Sequence, residues 1–242
     1  MAKRPVFLVS DKPNLYVEEV EVEFDWFPGF ALKQKQKSIE SLHENFLKEY
    51  PSLKILEISS KSNQKLGVAL SAFNLMIKTK NNKQFSVETA FQASKVFEFG
   101  GPYIDLYEKS SKEAKKDPRI KNSGRLLYFQ FFSRKWDLEP KTLFYDWLYI
   151  NALSLNKDLS DKVIHYDAFT DIEFNPQKSI NCQARSVALY VSLHRANLLN
   201  DALSSVEKFK EVVVGHKTTF KKEYEEVKNF EQLSIFDEIV SD

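Results

Sequence analysis

Glu88, Gln92 and Lys95 set an acid, an amide and an amine at spacings of four and three. On a helix that advances about 100° per residue these positions fall within about 60° of one another. Val87, Ala90, Phe91, Ala93, Val96 and Phe97 around them are apolar, and a helix that is apolar nearly all round is buried. A polar stripe there is either a structural Glu–Lys pair bridged by Gln92 or the lining of a cavity. In the second case a partly desolvated lysine has a lowered pKa and becomes a nucleophile toward a carbonyl-type carbon, while the carboxylate moves the proton.

The elements that hold this trio follow from pattern. Ser86 is a suitable N-cap, and Gly100-Gly101-Pro102 a stop, so one helix is predicted between them. Ahead of it, 74–86 reads as a hairpin turning at Lys80-Asn81-Asn82-Lys83, where Asn suits positive φ. Residues 16–24 alternate in part between apolar and acidic, as in a half-buried edge strand, and Trp26–Phe30 makes an aromatic turn. A helix is predicted over 33–48, a short strand over 53–58, short helices at 102–108 and 111–116, and longer helices over 139–155 and from about Ser179 to Leu198. With only 6 Gly and 8 Pro, a sandwich or barrel of many short strands is disfavoured. The predicted fold is mainly α with a small antiparallel β component, an α+β class. The compact domain is placed at 1–214 and a helical or flexible tail at 215–242, with Phe220, Tyr224, Val227 and Phe230 as a narrow apolar stripe. The pocket is expected between the 86–98 helix, the 166–174 loop and the start of the 179–198 helix.

Composition narrows the function. A chain of 242 residues should bury roughly 70–75% of its unfolded surface. With 35 basic against 34 acidic residues the net charge is +1, which argues against nucleic-acid binding by bulk charge and leaves only a local patch. One cysteine, Cys182, forms no intrachain disulfide, and without an evident base beside it reads as inert packing. The four histidines (His43, His165, His194 and His216) lack ligand spacing, and no Gly-rich nucleotide loop occurs, so neither metal nor cofactor is expected. No apolar run of about 18 residues occurs and the start lacks a signal-peptide core, so the expectation is a cytoplasmic protein without a membrane partner.

Further candidates have two readings each. Lys112, Lys115, Lys116, Arg119, Lys121 and Arg125 form a solvated loop or a phosphate-binding edge for a pyrophosphate or a DNA backbone. Tyr103, Tyr107, Tyr128, Phe129 and Trp136 are core or base-stacking rings. Asn181, Gln183 and Arg185 at a helix start suit an anion, or a structural pair with Asp167 or Asp171. Gln232-Leu-Ser-Ile-Phe236 folds back on its own domain, or docks in a groove as do the short peptides of bacterial proteins that bind the DNA sliding clamp.

Phe85-Ser-Val-Glu88-Thr-Ala-Phe-Gln92-Ala-Ser-Lys95-Val-Phe97 resembles the "tVEhayQaxKf" signature of the NADAR (YbiA-like) family. Leu70-Ser-Ala-Phe-Asn74 is similar to its "LSNF" segment with the Asn displaced, and Ser111-Lys-Glu-Ala114-Lys115 to its "AKxxGR" segment with Gly-Arg replaced. Tyr166-Asp167-Ala-Phe-Thr-Asp171-Ile-Glu-Phe174 takes the place of "ExSPxDxxWG", with Asp171 matching the aspartate and Phe174 where Trp is usual. These segments cover about 66–200 in the family's order, leaving 1–65 as an N-terminal extension. The chain also resembles the narrower group of NADAR proteins encoded beside DarT-type toxins. The shared segments are Lys-Arg-Pro-Val-Phe near the start, Ser38-Ile-Glu-Ser-Leu-His43, Gly100-Gly-Pro-Tyr-Ile-Asp-Leu-Tyr107, and Phe169-Thr-Asp-Ile-Glu-Phe-Asn-Pro176.

The resemblance implies a YbiA-like/NADAR fold and a DNA ADP-ribosylglycohydrolase that frees guanine bases of the ADP-ribose attached by a DarT-type toxin. It implies catalysis by Lys95, Glu88 and Asp171, with Lys95 as imine former or with water attacking directly. Substrate contacts are expected at Ser71, Asn74, Gln92, Tyr103, Asp167, Asn181 and Arg185, and phosphate contacts at Lys115, Arg119 and Arg125. ADP-ribosylated DNA, ADP-ribose and the cognate toxin are the implied partners, with the sliding clamp added if Gln232–Phe236 docks there. The competing functions are an N-glycosidase on phosphorylated riboflavin-pathway intermediates and a non-catalytic antitoxin that binds toxin or modified DNA.

Overall fold

The computed structural model describes residues 2–12, 15–79 and 82–215. The tail, with its 217–230 stripe and Gln232–Phe236, lies outside the described residues.

A four-stranded sheet organises the N-terminal half and reaches across to residue 170. Strands β1 (Ala2–Lys12), β2 (Leu15–Phe24), β3 (Ile55–Glu57) and β9 (Ala168–Thr170) lie in the order β2-β1-β9-β3. The β1–β2 and β1–β9 pairs are antiparallel and β3–β9 is parallel. The sheet is therefore mixed and larger than the small antiparallel component expected, although the α+β class stands. Strand β1 went unpredicted because both its faces are covered. Val6 joins the layer under α1 (Leu32–Glu49) with Ile39, Leu42 and Phe46, while Phe7 joins the layer of Val187 and Val191 on α8 (Gln183–Arg195). A strand buried on both faces reads as a continuous apolar run, here Pro5-Val-Phe-Leu-Val9, not as an alternation. Pro5 is tolerated because β9 pairs only with Phe7 and Leu8, so one edge of β1 is open at Pro5. As predicted, β2 is an edge strand.

The second half is built around α6 (Leu143–Leu155), whose residues 143–153 are all buried. It packs with α8 and with α3 (Val87–Ala93) in the principal core. The predicted hairpin is β4 (Met76–Lys78) with β5 (Gln84–Ser86), and Asn82 takes φ +58 in its turn. Ser86 caps α3, its hydroxyl accepting from the Thr89 amide at 3.0 Å.

The predicted helix to residue 100 is corrected: α3 stops at Ala93, and the chain turns into β6 (Lys95–Phe97). The β-branched and aromatic residues Val96 and Phe97 suit a strand, and β6 pairs antiparallel with β7 (Leu126–Phe131), itself paired with β8 (Arg134–Trp136). The turn beyond depends on Gly101, at φ +98, where a Cβ would sit 2.2 Å from the Lys95 carbonyl oxygen. The expected short helices are a 3-10 turn at Ile104–Glu108 and α4 (Ser111–Lys116). The last predicted helix begins later, at Gln183, so Asn181 precedes it.

Candidate active site

Although Lys95 lies past the end of α3, the trio is assembled. Gln92 donates from Nε2 to Glu88 Oε1 at 2.9 Å and accepts from Lys95 Nζ at 2.8 Å. Glu88 and Gln92 are each 6% exposed, whereas Lys95 is half-buried with Nζ 4.8 Å from the Phe91 ring centroid. Burial lowers the Lys95 pKa to about 8; the Glu88 charge opposes this and the Lys115 charge adds to it. The Lys115 ammonium lies 3.7 Å from Glu88 Oε1 and 4.9 Å from the Phe73 ring centroid, so one member of the basic stretch belongs to the cluster.

Asp171 follows β9 and is linked to the backbone of Glu88 through the Gln183 side chain and the main chain of Ala72. Gln183 donates to Asp171 Oδ2 at 3.0 Å and accepts from the Ala72 amide at 2.7 Å, while the Ala72 carbonyl accepts from the Glu88 amide at 2.8 Å. Burial and the neighbouring Glu57 charge push the Asp171 carboxyl up to about 8. Tyr145, 6% exposed, has its hydroxyl pushed well up by burial and, secondarily, by the charges of Glu88 and Asp171.

Glu57 is a site residue that sequence reading missed. It is 1% exposed, and its carboxylate accepts from Ser59 Oγ at 2.6 Å, Thr170 Oγ1 at 2.6 Å and the Ile172 amide at 2.8 Å. It thereby fixes the residues on both sides of Asp171. His43 lies 2.8 Å from Thr170 Oγ1, and burial lowers its pKa to about 4, so it is neutral. Since Thr170 donates to Glu57, it accepts from His43 Nε2–H. The signal was one acid inside the apolar run Ile55-Leu-Glu-Ile58. Burial pushes the Glu57 carboxyl up.

Several candidates have other partners. Arg185 pairs with Asp146 Oδ2 at 2.5 Å, which also accepts from Thr142, while Ser186 donates to Oδ1; this ties α8 to α6, and the partner is neither Asp167 nor Asp171. Asp167 accepts from the Lys54 amide and from Arg195. Tyr103 is buried, bonded to Ser123, with the Arg119 guanidinium 4.4 Å from its ring centroid. Arg119 itself forks onto Asp105 and is held by Asp117; that pairing, its largest influence, keeps the Asp117 carboxyl well below the usual range. Arg125 is mostly exposed beside Glu98. Ser71 is buried and accepts from the Phe73 amide. Asn74 is exposed and donates to the Val68 carbonyl.

A cavity of about 270 Å³ is lined by Phe91 and Phe129, the ring under the Lys95 ammonium and the residue opposite Lys95 in β7; Lys95, Gln92, Glu88 and Asp171 are not among its lining. Its walls include Phe91, Phe129, Phe144 and Tyr145, and its rim Glu139, Thr142 and Asn181. The cavity is thus framed mainly by 126–145, with Ile180 and Asn181, and the 166–174 loop is not among its lining. Among the described residues no group of three or more His, Cys, Asp and Glu could hold a metal ion, and no helix is long and apolar enough to cross a membrane.

No curated protein matches the chain. A family model described as "DarT1-associated NADAR antitoxin" matches residues 2–223, which takes in the sheet, the trio and Asp171.

Proposed function

The chain belongs to the family of DarT1-associated NADAR antitoxins, and from that premise we propose that it is an enzyme, a DNA ADP-ribosylglycohydrolase that removes ADP-ribose from guanine and so reverses the toxin's modification. One observation carries this reading: Lys95 is held half-buried by Gln92 against the Phe91 ring, with its pKa lowered to about 8. Relative to an ordinary lysine this leaves roughly 300-fold more neutral amine at neutral pH.

The bond to be cleaved joins ribose C1″ to the exocyclic nitrogen of guanine. Opening of the ribose ring, with a proton delivered to O4″, gives a C1″=N iminium. Neutral Lys95 Nζ adds to C1″, and transfer of its proton to the guanine nitrogen lets the C1″–N(guanine) bond break. The remaining C1″=Nζ imine takes up one water at C1″, and collapse returns the amine and releases ADP-ribose. Glu88, joined to Nζ through Gln92, shuttles the proton. Asp171, with its raised pKa, is the acid that retains a proton near neutrality.

Borohydride added during turnover tests this. A reduced ADP-ribosyl adduct on a Lys95-containing peptide is expected, and none in Lys95→Ala. Full turnover with no trapped adduct would instead support water attack on an oxocarbenium-like centre with carboxylates as acid and base. A Lys95→Ala protein that still rescued cells from the toxin would support a purely binding antitoxin.

A further inference from the structure

We infer that the cavity walled by Phe91, Phe129 and Tyr145 is the slot for the departing guanine base, read at its rim by Glu139 and Asn181. The inference rests on the reading above and names the part of the substrate that occupies this space.

Position comes first. Lys95 and Phe129 are directly opposed residues of the antiparallel β6–β7 pair, and such residues project from the same face. Phe91 closes the gap: its ring lies 4.8 Å from Lys95 Nζ, 5.3 Å from the Phe129 centroid and edge-on to Tyr145 at 5.1 Å. Phe91 and Phe129, the two residues beside the amine, both line the cavity and so place it next to Lys95, which is not itself a lining residue. In an ADP-ribosylated guanine the base is one bond from C1″, the atom Nζ must reach. The adenine is separated from that atom by two riboses and a pyrophosphate. A slot lined by the rings that flank the lysine consequently suits guanine.

Size and charge agree. At about 270 Å³ the space falls below the roughly 300–1,000 Å³ of sites for drug-sized ligands, and suits one flat ring system. Rim carboxylates at Asp137 and Glu139 oppose a phosphate. Guanine modified on its exocyclic amine still carries an N1–H donor and an O6 acceptor. Glu139 accepts the Lys141 amide through Oε2 at 3.0 Å, leaving Oε1 for N1–H. Asn181, at the same rim, carries a side-chain amide that is a donor suited to O6. Stacking on aromatic rings combined with hydrogen bonds along the pairing edge is how enzymes hold an extruded base.

The test is binding of guanosine and adenosine to the full-length protein by ligand-observed NMR, alongside inhibition of turnover on an ADP-ribosylated guanine oligonucleotide. Guanosine is expected to bind and to compete, adenosine to do neither. Phe129→Ala should weaken guanosine about 5- to 150-fold, the loss of one stacking ring, and Glu139→Gln, which keeps the aromatic walls, should weaken it by a smaller factor. Turnover with no guanosine binding or competition, or equal competition by adenosine, overturns the slot. Guanosine binding that responds to both variants in a protein without hydrolase activity sustains the slot and sinks the hydrolase reading.

Discussion

Lys95 donates to Gln92 from beyond the end of the helix that carries Gln92, at 2.8 Å. The amine thus sits on a strand and the acid–amide pair on a helix, and the two meet across the Ser94 turn. Strand pairing through Phe129 therefore fixes the amine independently of the acid–amide pair. Lys95→Ala and Lys95→Arg should both lose at least about 100-fold in single-turnover release of ADP-ribose, since guanidinium keeps the charge but forms no imine. Both proteins should keep their thermal midpoint within a few degrees, as the side chain is half-buried.

Activity should rise with pH up to about 8 as Lys95 loses its proton. The Glu88 charge raises that pKa, so Glu88→Gln should move the rising limb to lower pH while also reducing the maximal rate. The Lys115 charge lowers it, so Lys115→Met should move the limb to higher pH. Opposite shifts in pH–rate profiles are expected; shifts of the same sign would contradict the assignment of the limb to Lys95.

Asp171 should produce the falling limb, because only its protonated form donates. Glu57 raises the Asp171 pKa, so Glu57→Gln should move this limb to lower pH. It should also reduce kcat more than it raises KM, since Thr170 and Ile172 on either side of Asp171 lose a shared acceptor charge. The same raised pKa bears on stability. A carboxyl whose folded pKa lies above its unfolded value of about 4 destabilises the native state increasingly as pH climbs from about 4 to about 8. Urea midpoints at pH 5 and pH 8 should therefore differ less in Asp171→Asn than in the parent protein.

Arg185→Met should cost about 1–3 kcal/mol in urea denaturation, with guanosine binding unchanged. Asp146 is 2% exposed and would keep only the hydroxyls of Thr142 and Ser186 as side-chain partners. Arg185 is a third exposed, which limits the loss. Adding Asp146→Asn should recover part of it.

The polar spacing of Glu88, Gln92 and Lys95, the Ser86 cap, the Asn82 turn and the edge strand β2 were all legible, because each is a local decision of capping, turn geometry or periodicity. The end of α3 was not: whether residues 95–97 continue the helix or pair as a strand depends on β7, some thirty residues on. The β1 run gave no alternation because both sides are covered. Most cavity walls come from 126–145, where periodicity shows packing but not which rings leave a gap. Glu57 stood out as an acid in an apolar strand, yet its three donors converge only once β3 and β9 are side by side. Arg185 was visible as a charge near a helix start, but its partner on α6 was not.

Strand β9, which delivers Asp171, is wedged between β1 and β3 in the sheet. During synthesis those two strands leave the ribosome long before β9 does and must wait for it, with their edges open. A chain ending before residue 168 therefore carries Lys95 but lacks both β9 and Asp171. The sheet is then completed only when nearly the whole of the described domain has been made.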